Sequence, residues 1–105
     1  MALYETTKFS QQKSRNLALK QYRPAINDRL ATLRHLPNFG GQTPVVSNAA
    51  KNAIKAACGN PSTANTHVYE IGIGGHWRIF FAQAFSGGVI ALMFGHLNGN
   101  VLEEP

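Results

Sequence analysis

Residues 66–100, THVYEIGIGGHWRIFFAQAFSGGVIALMFGHLNGN, decide the fold. Three runs rich in β-branched and aromatic residues, His67–Ile73, His76–Phe85 and Val89–Phe94, are separated by Gly74-Gly75 and by Ser86-Gly87-Gly88. Short glycine-containing connections between such runs are hairpin signals, so the stretch predicts a three-stranded antiparallel meander. Alternation along the second run puts Trp77, Ile79, Phe81 and Phe85 on one face and His76, Arg78, Phe80, Ala82 and Ala84 on the other. The third run is almost wholly apolar, which predicts a strand buried on both sides and broken at Gly95-His96.

Upstream of the meander the pattern changes from period two to helical spacing. In PAINDRLATLRHL, Ile26, Leu30 and Leu33 recur at intervals of four and three, with Pro24 suited to a first-turn position. The stripe continues backward through Leu19 and Tyr22, which allows a longer helix bent at Pro24. Pro37-Asn38-Phe39-Gly40-Gly41 ends that helix and starts a loop to Val46. Ser47 then reads as the N-cap of a second helix, with Ala50, Ile54 and Ala57 inward and Gly59 as its stop. Asn60–Thr66 is a loop into the sheet. Residues 1–20 are polar and read as a peripheral or flexible segment, with a short strand around Ala2–Thr7 followed by helix. The fold class is α+β: two or three N-terminal helices packed on a small antiparallel sheet whose C-terminal part is the meander.

With 105 residues the chain is expected to form one domain, residues 1–105, with a single modest core. Its 44% apolar and 14% charged residues suit a folded protein rather than a disordered one. No apolar run approaches the roughly 20 residues of a bilayer span. The start of the chain lacks the apolar segment of a secretory signal, so the expected compartment is the cytoplasm, with no membrane partner. The lone Cys58 has no disulfide partner and reads as a small core residue on a helix, or as a thiol nucleophile.

Charge is unevenly distributed. Between Lys8 and Lys55 nine basic residues face a single acid, Asp28, within a net charge of +5. That bias favours polyanionic partners, nucleic acid first, because cations that neutralise phosphates release counterions. An acidic protein partner and a merely soluble cationic surface are the other readings.

Few polar residues interrupt the apolar strands. Arg78 either pairs with Glu70 on the preceding strand or presents its guanidinium to a phosphate. His96 lies just past the buried strand, where it is either structural or an acid–base group at neutral pH. His76 either fills a hairpin position or touches substrate, and Lys51 and Lys55 either form a solvated helix face or reach phosphates. Gly72, Gly74 and Gly75 do not open a helix, which excludes a nucleotide-binding loop. His67, His76 and His96 lack metal-ligand spacing, and neither paired core carboxylates nor a serine elbow is present, so no metal and no cofactor is expected. Cationic and imidazole chemistry remains. RNA cleavage fits it, because the ribose 2′-hydroxyl supplies the nucleophile and the protein need add only a base, an acid and positive charge.

The order of a basic helical half, a strand, a glycine turn, the arginine-bearing strand HWRIFF, a second tight turn and an apolar strand ending in FGH resembles RelE/ParE-type bacterial toxins. The resemblance covers about residues 25–100 and is carried mainly by 66–98, with Trp77-Arg78-Ile79 and Phe94-Gly95-His96 as the matching motifs. Leu97-Asn98 stand where such toxins usually have a second basic residue after GH. The resemblance implies an endoribonuclease that cleaves mRNA, often on the ribosome, or alternatively a gyrase poison, with a cognate antitoxin protein as partner. Carried over by position, Arg78 stabilises the scissile phosphate, His96 is the acid or base, and Lys51 and Lys55 are substrate-side cations. The competing expectation is a non-catalytic basic protein that inhibits a nucleic-acid-handling target.

Overall fold

Thr6 anchors the N-terminal segment. Its hydroxyl oxygen accepts from the Phe9 amide at 3.0 Å, capping a helix, and its proton is donated to the Leu92 carbonyl at 2.6 Å on the central strand. The computed structural model describes residues 2–35, 42–62, 64 and 67–105. Along the chain these form β1 (Leu3–Glu5), α1 (Thr7–Arg15), a 3-10 helix (Leu17–Tyr22), α2 (Arg23–Arg34), β2 (Thr43–Pro44), α3 (Asn48–Ala57), β3 (Tyr69–Gly74), β4 (Trp77–Gln83), β5 (Val89–Asn98) and β6 (Val101–Glu103). The expected Pro37–Gly41 loop lies outside the described residues, as do residues 63, 65 and 66 of the loop before β3.

The α+β class holds. Strands run in the order β1-β5-β4-β3-β2, with β6 pairing β5 beyond β1 on the same edge. The sheet is antiparallel except for β1, which lies parallel to β5 with Leu3 opposite Val89. Residues 2–20 are not peripheral. Phe9 is fully buried and stacks on Phe94 at 4.5 Å, and Leu19 is buried beside them. Burying such side chains contributes roughly 1.5–3 kcal/mol each. The segment looked polar because the side chains it packs into the core, Leu3, Phe9 and Leu19, are spaced by the changes from strand to helix to 3-10 turn rather than by one period.

Helices cover both faces of the sheet. On one, Phe9 from α1, Leu19, and Ile26, Leu30 and Leu33 from α2 meet Ile73, Ile79, Phe81, Ala91 and Phe94. On the other, Ala50, Ile54 and Cys58 of α3 and its C-cap meet Val68, Phe80, Ala82, Ile90, Leu92 and Met93. Ser47 caps α3, accepting from the Ala50 amide at 3.3 Å, as its position before an alanine-rich run predicts. Helical conformation does extend back from Pro24 to Leu17, but as a 3-10 helix, with Pro24 in the first turn of α2. Proline there gives up only a donor that lacks an intrahelical partner anyway.

Between β1 and β6 the outer edge of β5 is covered by a side chain. The Gln12 amide of α1 donates to the Phe94 carbonyl at 3.1 Å and accepts from the Phe94 amide at 2.8 Å, imitating one residue of a neighbouring strand. Its burial is thereby satisfied. β5 itself does not break at Gly95-His96. It continues to Asn98 and turns through Gly99-Asn100 into β6, with Asn98 opposite Val101. Gly99 has φ +63°, which suits the first position of a tight hairpin turn.

Candidate functional site: a histidine pair held by a carboxylate

β5 carries a bulge that determines which side chains can meet. Its pairing with β4 runs Gln83 to Val89, Ala82 to Ile90 and Phe81 to Ala91, then jumps to Phe80 with Met93, leaving Leu92 as the extra residue. Leu92 and Met93 consequently both pack on the α3 side. Phe94 returns to the α1–α2 side, and every later residue of β5 is inverted relative to simple alternation.

Arg78 faces Gly95 across the ladder, so the two share the α3 side, and His96, one residue on, lies on the α1–α2 side. The two residues expected to form one catalytic pair are therefore on opposite faces of the sheet. Arg78 lies over Gly72, where an added Cβ would sit 3.1 Å from its Nη1. Its Nε is 3.9 Å from a Glu70 carboxylate oxygen, and Nη1 donates to the Trp77 carbonyl at 3.2 Å. This is the cross-strand pairing alternative for Arg78. Lys51 and Lys55 ride on α3, on that same side, away from His96.

On the α1–α2 side three aromatic rings converge. His96 and His76 lie edge to face at 4.8 Å between ring centroids, and His76 leans on Trp77 at 4.4 Å. The Nδ1 of His96 is 2.8 Å from Oε1 of Glu103, its register partner on β6. An ionised carboxylate can only accept, so Nδ1 carries the proton, and in the neutral ring Nε2 is the atom with the lone pair. His76 follows the Gly74-Gly75 turn, and Tyr22 packs against that turn. A Cβ on Gly75, whose φ is +56°, would approach the Tyr22 hydroxyl to 2.7 Å. The site is thus built from β4, β5 and β6 at one end of the sheet, with the start of α2 beside it.

Comparison with family models, curated proteins and solved structures gives one result. None matches this chain.

Every carboxylate side chain in the sequence is engaged. Glu5 binds Lys13 at 2.7 Å, Glu103 binds His96, Glu70 is beside Arg78, Asp28 pairs with Arg29, and Glu104 pairs with Lys8. Among the described residues Arg15, Lys20, Arg23, Arg34 and Lys51 have no such partner, so the +5 charge is concentrated on the helices rather than the sheet. Cys58 is a buried residue at the end of α3, as its small-core reading predicts. Burial pushes its thiol above the ordinary range, against smaller opposing effects from a backbone hydrogen bond and from Lys55 and Lys8. Among the described residues no helix is long and apolar enough to cross a membrane, and no three His, Cys, Asp or Glu side chains are gathered as metal ligands.

Glu103 was missed because β6 was missed. Its signal is Gly99-Asn100 between Leu97-Asn98 and Val101-Leu102, a two-residue Gly-Asn hairpin turn.

Proposed function

We propose that the protein is a toxin-like cytoplasmic endoribonuclease that cleaves RNA by general acid–base catalysis without a metal. The observation that carries this reading is the His96–Glu103 hydrogen bond with the His76 ring 4.8 Å from His96. His96 Nε2 accepts the proton of a ribose 2′-hydroxyl while Glu103 stabilises the imidazolium that forms. The 2′-oxygen attacks the adjacent phosphorus, the 5′-oxygen departs, and protonated His76 donates to it. The products are a 2′,3′-cyclic phosphate and a 5′-hydroxyl. Hydrolysis of the cyclic ester then returns both histidines to their starting protonation states. Each histidine contributes on the order of 10²–10⁴ in rate when positioned this way.

The resemblance of Trp77-Arg78-Ile79 and Phe94-Gly95-His96 to RelE/ParE-type toxins supports the same class, with mRNA on the ribosome as substrate and a cognate antitoxin as partner. In this reading the acid–base pair is His76 and His96, and Arg78 belongs to the opposite face with Glu70. Purified protein incubated with RNA in chelator, with and without ribosomes, is expected to leave 2′,3′-cyclic ends, and His96→Ala is expected to abolish them. Undiminished cleavage by His96→Ala sinks the assignment.

A second reading rests on the exhaustion of carboxylates. A helical surface with unneutralised cations suits a non-catalytic protein that occupies a nucleic-acid-handling target. Growth inhibition that persists in His96→Ala and disappears on charge reversal of the helix cations distinguishes it.

A further inference from the structure

A cleft of about 360 Å³ separates α1 from the start of α2, lined by Lys13, Ser14, Arg23, Ile26 and Asn27. That volume lies within the roughly 300–1,000 Å³ range of small-ligand sites. Its lining is four polar residues around one isoleucine, with two cations and no carboxylate. Lys13 spends one of its donors on Glu5, whose other oxygen takes the Ser10 hydroxyl, so that carboxylate is satisfied within α1 and β1. Arg23 is exposed and has no ion-pair partner among the described residues, and each of the chain's five acids is engaged elsewhere. The cleft is therefore lined by an arginine whose charge no acid of the chain neutralises.

Its place in the fold connects it to the histidines. Arg23 immediately follows Tyr22, and Tyr22 packs on the Gly74-Gly75 turn whose next residue is His76. A chain of contacts on the α1–α2 side thus leads from the cleft, over Tyr22, to the His76–His96 pair. Arg78, Lys51 and Lys55, the cations expected from sequence to meet phosphates, all lie on the α3 side. The histidine site lacks a cation from that set.

We propose that the cleft between α1 and α2 is a phosphate subsite for single-stranded RNA, with Arg23 as its principal cation and Lys13 as the second, holding the backbone of a strand that continues over Tyr22 to His76. This rests on RNA being the substrate, but it concerns binding and is read without cleavage. Guanidinium meets a phosphate through paired donors, and the neighbouring Asn27 amide and Lys13 ammonium supply further ones.

The test is fluorescence anisotropy of a short labelled single-stranded RNA with the full chain across a salt series. Arg23→Gln is expected to weaken binding several-fold and to lower the slope of log K against log salt by roughly 0.7, the value of one phosphate contact on a single strand. Arg23→Lys is expected to keep the slope while losing part of the affinity, and Lys51→Gln to change neither. Circular dichroism confirms that the variants are folded. An unchanged slope in Arg23→Gln, equal losses in Arg23→Gln and Lys51→Gln, or no RNA binding by the parent protein each overturns the subsite. Tighter, equally Arg23-dependent binding of duplex DNA overturns the RNA assignment. Cleavage is scored separately: an inactive protein whose RNA affinity depends on Arg23 ends the nuclease reading and leaves the subsite standing.

Discussion

The two faces of the sheet carry similar inventories and different chemistry. On the α3 side Arg78 is folded over Gly72, with Nη1 on the Trp77 carbonyl and Nε 3.9 Å from Glu70. On the α1–α2 side His96 is also tied to a carboxylate, yet that tie leaves Nε2 available and sets a second imidazole next to it. A guanidinium paired with a carboxylate has its charge cancelled, whereas an imidazole hydrogen-bonded through Nδ1 has its reactive atom defined. On one face the carboxylate lies loosely beside a guanidinium, and on the other it orients an imidazole.

The sharpest way to break this contrast is kinetic. His96→Ala is expected to reduce RNA cleavage by about 10²–10⁴ and Arg78→Ala by no more than a few-fold. The reverse ranking would move the chemistry to the α3 side.

A second comparison concerns the edge where the two faces meet. Gln12→Ala leaves the buried amide and carbonyl of Phe94 without partners, and is expected to cost about 2–4 kcal/mol in urea denaturation. A loss below 0.5 kcal/mol, on the order of an inconsequential surface change, would mean that water replaces the side chain. Glu103→Gln is expected to lower cleavage about tenfold with little change in KM, since it alters the orientation of His96 and not a substrate contact. A pure KM effect would instead place Glu103 against the substrate. The smallest effect belongs to Arg78→Met, expected to shift stability by less than about 1 kcal/mol because the Arg78–Glu70 pair is long and about one-third exposed.

Much of the fold was legible. The meander strands fall within about two residues of their expected starts, α2 begins at Arg23 with Pro24 in its first turn, and α3 begins at Asn48 behind its Ser47 cap, as proline and cap chemistry require. β1 falls inside the expected Ala2–Thr7 strand. What escaped depended on signals of other kinds. Phe9 and Leu19 gave no single period, Gly99-Asn100 is a short turn signal at the end of an already apolar strand, and Gln12 looks like any polar helix residue until an unpaired strand edge is placed beside it.

The candidate site was legible by residue type and not by grouping. Sequence alone determined that the polar residues of an apolar sheet, Arg78, His76 and His96, would lie at its strands and turns, because charge and imidazole cannot be buried there without a partner. Sequence also determined the excess of cations on the helices. Only the tertiary structure decided which of them meet. Simple alternation from Val89 would put His96 on the same side as Arg78, and the bulge at Leu92 reverses it. Because Val89–Phe94 is apolar on both faces, an extra residue changes nothing in its pattern of hydrophobicity, so the register is visible only once β4 and β5 are paired.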